Sequence, residues 1–512
     1  MASPAREEGR GADRAAPAET NAPTLAKPVL GLFDVTMIVM GCIIGAGCFA
    51  NPAAIAAQVG SSGWIFAIWG LGGVIALTGA LVFAELSAMF PRTGGQYVFV
   101  REPFGRFLAF LFGWVLLAAI VSNAIAWVGR IFARHLALLF AGGDGAGGLD
   151  ELGKPFIALF SAISGHEESA SAAGEKVVAF ALIVAFTWLN VRGLRLGATV
   201  QNVAMVAKLL GIVAVIALGA VAIVRGEAFP ADDGLAIATE LRAARGLPPP
   251  VALAAGGITF AAFNAALFKA MFTYGGWQNA AAVGSEVKEA KRTLPLGILL
   301  GTVGVVALYL ALNGALVAVL GPIGVAATGT PAADAAGRVV AGGELFVAAL
   351  VMTSTFAITQ ALLMVTPRIY YAMAQDGLFF APIGRLHPRY GTPALAIALQ
   401  GLAATVHLLL GDLLDLLDMT TFFDWFGFTL CALGLFVLRR KRPELPRPYR
   451  AWGYPWLPGL FLLLSTWVFV FHFWFAEEQA RQRSLWVFLV GLALYGVFEM
   501  SRRRGDARKT NG

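Results

Sequence analysis

Gly41-Cys42-Ile43-Ile44-Gly45-Ala46-Gly47-Cys48-Phe49 interrupts an apolar run long enough to cross a bilayer, and Phe272-Thr273-Tyr274-Gly275-Gly276-Trp277 interrupts a second one about half a chain later. Paired glycine-interrupted spans at corresponding places point to a binding site at mid-membrane. The surrounding composition agrees. Of 512 residues, 58% are hydrophobic and only 13% charged, and the mean hydropathy is +0.73, which makes this a polytopic membrane protein. The net charge of +7 does not indicate nucleic acid, because the basic residues fall between apolar runs rather than along one face.

Apolar runs that can cover about 30 Å at about 1.5 Å per residue lie near 32–57, 64–89, 107–128, 177–190, 198–224, 256–284, 295–320, 345–373, 393–410, 420–438, 457–476 and 485–499. The fold expected is therefore an all-α membrane protein of twelve transmembrane helices. Residues 1–28 read as a disordered cytoplasmic tail, since the apolar run that follows is too long for a signal-peptide core. Residues 29–438 form the core, 439–500 a basic cytoplasmic loop with two further helices, and 501–512 a cytoplasmic tail.

Lys and Arg set the orientation. Loops after even-numbered spans carry Arg92, Arg101 and Arg106, then Arg192 and Arg195, then Lys288, Lys291 and Arg292, then Arg368, Arg385 and Arg389, and finally the stretch from Arg439 to Arg450. Both termini are thus expected in the cytoplasm. Arg130 and Arg134, just past the third expected span, run against the pattern. Breaks in spans one and six divide the first ten helices into two halves of five. An odd number per half forces opposite orientation, a 5+5 inverted repeat with two C-terminal helices outside it.

The breaks have a chemistry of their own. Gly45 lies roughly 20 Å along the helix from Leu32, near the bilayer middle. Unwinding there exposes amides that suit a carboxylate, and the break at Tyr274-Gly275-Gly276-Trp277 frees carbonyls that suit an ammonium group. Together they fit the zwitterion shared by all α-amino acids. Tight helix packing is the other use of such glycines, and Gly41-x-x-x-Gly45 fits it. Gly45-Ala46-Gly47 lacks the third Gly and the later acidic residue of a dinucleotide fingerprint.

These motifs, with Phe83-Ala84-Glu85-Leu86, Phe90-Pro91-Arg92-Thr93-Gly94-Gly95-Gln96-Tyr97, Gln201-Asn202 with Lys208, Glu286-Val287-Lys288 and Arg442-Pro443-Glu444-Leu445-Pro446-Arg447-Pro448-Tyr449, resemble the amino acid, polyamine and organocation (APC) superfamily of transporters. The sixth-span motif is most similar to the L-type amino acid transporter branch and its bacterial relatives. The resemblance implies a LeuT-like fold, alternating access, and a multi-pass place in the inner membrane of a bacterium. It also implies that Ile43, Gly45, Ala46 and Gly47 hold the substrate backbone while Phe272, Thr273 and Gly275 hold the amine. Ala46 and Thr273 depart from a pattern that often has Ser and Ala.

Lys208 is the only charge between Ala198 and Val224. An ammonium at that depth must find partners or lose its proton. In the resembling transporters a lysine here reaches the broken first helix, where sodium-coupled relatives place a cation, so Lys208 is expected to substitute for sodium; a permanently charged strut is the alternative. Tyr274 and Trp277 are either gates over the substrate or packing residues. Glu85 is expected to pair with Arg92 or Arg101. Lys269 reads as a snorkelling or vestibule residue, Asp424 has no assigned direction, and His166 and His407 have no assigned role.

The expected function is secondary active transport of amino acids, coupled to protons or by exchange, without sodium. A polyamine or organic-cation permease of the same fold is the alternative, and a multi-span membrane enzyme is the competing class, which would need an acid-base or nucleophile constellation that the sequence does not offer. No cofactor, metal or nucleic acid is expected. The partners expected are a small-molecule amino acid, the lipid bilayer and, where transport is proton-coupled rather than by exchange, protons. Cys42, Cys48 and Cys431 all lie in apolar runs, so no disulfide-linked partner is expected.

Overall fold

A computed structural model of the protein describes residues 28–141, 146–165, 167–230, 232, 234–244, 258–411, 413–475 and 478–510. The expected tail 1–28 therefore lies outside the described residues except for Pro28, as do His166, the start of the sixth run at 256–257 and the last two residues of the C-terminal tail. The described residues are all-helical, with two isolated bridges, Leu30 to Val287 and Thr93 to Val283.

In chain order the helices are α1 (Leu32–Ile43), α2 (Gly47–Val59), α3 (Ser62–Met89), α4 (Gln96–Phe104), α5 (Arg106–Val115), which continues through a π-helical turn (Leu116–Val121) into α6 (Ser122–Ala141), α7 (Ala146–Gly153), α8 (Ile157–Ser164), α9 (Ala170–Arg192), α10 (Leu194–Arg225) and α11 (Leu235–Ala244). Then come α12 (Phe260–Tyr274), α13 (Ala290–Ala327), α14 (Pro331–Val339), α15 (Gly343–Val365), α16 (Pro367–Gln375), α17 (Ala394–Leu410), α18 (Leu413–Lys441), α19 (Trp456–Phe475) and α20 (Glu478–Thr510).

Among the described residues eight helices are long and apolar enough to cross a membrane, and α1 with α2 makes a ninth span bent by 43° at its break. The sequence reading expects twelve. The difference lies in α12, which ends at Tyr274, and in the short apolar helices α17 and α19. Outward faces carry Val203, Leu210, Val213 and Val224 of α10, all exposed. An uninterrupted apolar exterior of this kind is a lipid-facing surface.

Two expectations change. The third span does not end near residue 128, because the helix runs on to Ala141 and carries Arg130 and Arg134 with it. Both pair with Glu175 of α9, Arg130 at 2.9 Å, so these charges are consumed inside the fold. Glu85 pairs with neither Arg92 nor Arg101. Its fully buried carboxylate accepts from Arg439 at 2.5 and 2.9 Å and from the Ala451 amide at 2.6 Å, while Arg101 turns to Glu102 and Asp376. The partner is supplied by the end of α18, a position that local sequence cannot reveal.

One face of the bundle is tied shut around Glu286. Its carbonyl accepts from the amides of Val29 and Leu30 at 2.9 and 3.0 Å, and the Lys288 amide returns to Leu30. Its carboxylate takes a bidentate pair from Arg368 of α16, at 2.5 and 3.0 Å, with both side chains buried. The Gly94 amide donates to Ala282 alongside. Removing one member of a buried pair leaves an uncompensated charge. Glu286→Ala and Arg368→Ala are each expected to destabilise the detergent-solubilised protein by about 3–5 kcal/mol, read as a fall in thermal midpoint, and the double variant by less than the sum. Full additivity would contradict a coupled pair.

Candidate functional site

Helix α1 stops because Ile44 leaves the helical path, at φ −77° and ψ 92°. The Ile44 amide closes the last turn on Met40 O at 2.8 Å, and α2 restarts at Gly47, with Ala46 O accepting from Phe49 and Ala50. Among the described residues the amides of Gly45 and Ala46 have no acceptor. They stand at a helix N-terminus, where unpaired N–H groups and the dipole favour an anion.

Helix α12 stops at Tyr274, where the Gly275 amide donates to Phe272 O at 3.1 Å. Beyond Gly276 the chain advances as short 3-10 turns, Trp277–Ala282 and Gly284–Glu286, rather than as a straight half-helix. Gly276 has φ +128°, and a Cβ there would run into Cys42 O and come within 2.9 Å of Ile43 N. Only glycine meets both conditions. The two breaks are thus in direct backbone contact. The Gly275 carbonyl has no donor among the described residues, and Phe272 O and Thr273 O each keep acceptor capacity.

Three further ties hold the breaks. Tyr309 of α13, fully buried, has its hydroxyl 3.1 Å from Ile43 O and 3.4 Å from Thr273 O, spanning both segments. Asn51 of α2 donates to Thr273 Oγ1 at 2.6 Å and to Lys269 O at 3.3 Å. Lys208, with no exposed surface, donates from Nζ to Ile44 O at 2.6 Å, and Ser354 of α15 donates to the same oxygen at 3.2 Å.

A cavity of about 110 Å³ lies against the breaks. All seven residues expected to hold substrate, Ile43, Gly45, Ala46, Gly47, Phe272, Thr273 and Gly275, line it. Lys208 and Lys269 do not. Neither do Tyr274 and Trp277: each is 1% exposed, the Tyr274 hydroxyl donates to Trp69 O at 3.1 Å, and Trp277 stacks on Phe428 at 5.2 Å. In this conformation both take the packing alternative. The remaining walls come from Ile120 of the π-helical turn, Trp127 of α6, Ile358 of α15, and Asp424, Trp425 and Phe428 of α18.

Tyr309 was not picked out from sequence, although a lone hydroxyl in the run Val305–Leu312 must find a partner at that depth. Ala46 also borders a second, larger cavity of about 530 Å³, with Phe49, Ile131, Arg134, Asp334 and Glu344. The breaks therefore sit between a vestibule and the face tied shut at Glu286.

Comparison with known proteins adds an independent line. Residues 30–498 match the family described as amino acid permease. The chain is 26% identical to the serine/threonine exchanger SteT of Bacillus subtilis (strain 168), over 94% of this chain and 98% of that protein. It is 28% identical to the b(0,+)-type amino acid transporter 1 of Homo sapiens, over 86% of this chain and 81% of that one. With the large neutral amino acids transporter small subunit 2 of Rattus norvegicus it shares 26% identity, over 96% and 85%.

Gly276→Ala places a methyl against the Cys42 carbonyl, and no rotamer change relieves it. The variant is expected to insert in the membrane but to lose ligand-induced thermal stabilisation across an amino-acid panel. Gly63→Ala, with open space around the new Cβ, should behave as wild type. Ligand response retained in Gly276→Ala would refute the close approach.

Proposed function

The chain belongs to the amino acid permease family and transports amino acids, and from that premise we propose secondary active transport by alternating access, coupled to protons or to exchange, without sodium. One observation carries the reading. Two chain breaks touch each other and present unpaired amides at Gly45 and Ala46, and carbonyls at Phe272, Thr273 and Gly275, to a single cavity. The amides take the substrate carboxylate and the carbonyls its ammonium group.

The bent α1–α2 pair and the interrupted α12 support a LeuT-like 5+5 inverted repeat, with α12, α17 and α19 completing the twelve spans. Residues 29–438 form the core in this scheme and 439–500 the added pair. Both termini lie in the cytoplasm, and the membrane is the inner membrane of a bacterium, which puts the Glu286 closure inside and the vestibule outside.

The ammonium of Lys208 on Ile44 O supplies at the first break the positive charge that a sodium ion would bring. Proton release from Lys208 and a fixed charged strut differ in outcome. Lys208→Ala is expected to insert normally and to lose transport at least tenfold. Lys208→Arg keeps charge but not proton release, so it too should fail; full activity with an unchanged pH profile would assign the strut.

Purified protein in liposomes tests the reading as a whole. Uptake of labelled amino acids is expected to rise with internal amino acid or with an inward proton gradient, and to be unchanged when choline replaces sodium. A sodium requirement, or no uptake across the panel, would overturn it.

A further inference from the structure

Asp424 is the one charged residue among the described residues that line the cavity. It sits on α18 between Thr420 and Trp425, which line the cavity with it. Among the described residues its carboxylate has no hydrogen bond and no ion pair, whereas the buried carboxylates of Glu85, Glu175 and Glu286 are each paired with arginine. Leu116, Ile120 and Val121 of the π-helical turn and the ring of Phe428 share the lining with it, and the other polar side chains there, Gln96, Gln278, Asn279 and Thr420 among them, are uncharged. A carboxylate set among apolar side chains without a counter-charge is costly. The cavity supplies none, since Lys208 and Lys269 lie outside its lining.

Position decides which part of a ligand meets it. Helix α18 has α3, α4, α6, α19 and the π-helical turn as its principal neighbours, and α1, α2 and α12 are not among them. Asp424 therefore comes to the cavity from a wall other than the two breaks. With the ligand's own carboxylate and α-ammonium taken up at the breaks, the group left to face α18 is the side chain.

Resting on the amino-acid reading above, we propose that Asp424 is a specificity-determining residue whose carboxylate receives a cationic side chain, an ammonium or guanidinium, on the transported amino acid. The ligand then restores neutrality in the cavity by a charge-assisted hydrogen bond, and the apolar walls cover its methylene stem.

Competition binding to the purified full-length protein tests this, with L-lysine, L-arginine, L-leucine, L-serine and putrescine as probes against wild type, Asp424→Asn and Asp424→Glu. Wild type is expected to prefer lysine or arginine to leucine. Asp424→Asn, nearly the same in shape, should weaken both cationic amino acids about tenfold or more while leaving leucine and serine unchanged or tighter. Asp424→Glu should keep the cationic preference, and thermal midpoints without ligand check that each variant is folded. Equal loss of all amino acids in Asp424→Asn would place the carboxylate on the α-ammonium instead and overturn the proposal. Neutral amino acids binding wild type while lysine and arginine do not would overturn it and leave the amino-acid reading standing. Putrescine binding with no amino acid binding would overturn both.

Discussion

A backbone amide or carbonyl inside a bilayer has no water to turn to, so every interruption of a spanning helix must be answered by the protein or by a ligand. Most of what surrounds the two breaks answers that demand. Ile43 O and Thr273 O share the Tyr309 hydroxyl, Ile44 O takes Lys208 and Ser354, and Gly45 O accepts from the Cys48 thiol at 3.1 Å. The end of α1 is thus largely satisfied from within. Among the described residues the amides of Gly45 and Ala46 are left without a partner, as is the carbonyl of Gly275. That remainder has the polarity of an amino-acid backbone, which is why the site is best understood as what the fold leaves unpaired.

The same constraint shapes the two ends of the pathway. On one face, backbone pairing of Val29 and Leu30 with Glu286, locked by Arg368, seals the chain around the second break. On the other, Ala46 is shared between the ligand cavity and a vestibule bearing Arg134, Asp334 and Glu344. A small shift at the Gly276 contact is therefore linked, through the 3-10 turns that follow it, to the Glu286 closure only ten residues later. Packed elements of this kind switch between discrete arrangements rather than deforming smoothly.

The parts legible in the sequence were those with a one-dimensional signature. Apolar length gave nine of the twelve expected spans among the described residues, and glycine at Gly45, Gly47, Gly275 and Gly276 gave the breaks; the seven residues expected to hold substrate all reach one cavity for the same reason, since backbone chemistry depends on where the helix stops and not on side-chain direction. Side-chain partners across the fold were not legible. Glu85 finds Arg439 across 354 positions of chain, and Arg130 finds Glu175 across 45, pairings that only the packed bundle defines. Asp424 shows the same limit: helical register and tilt determine whether it meets lipid, a neighbour or the cavity, and none of these is written in its local run. The continuation of the second break as 3-10 turns was likewise hidden, because Gln278-Asn279-Ala280-Ala281-Ala282 carries no helix-breaking residue.

The central claim is that the two breaks, acting together, bind the backbone of an α-amino acid. A structure determined with a bound amino acid tests it most directly. The account predicts the ligand carboxylate within about 3 Å of the Gly45, Ala46 or Gly47 amides and its ammonium within about 3 Å of the Phe272, Thr273 or Gly275 carbonyls. A ligand bound with those ends reversed, or seated in the vestibule with the breaks unengaged, would contradict it.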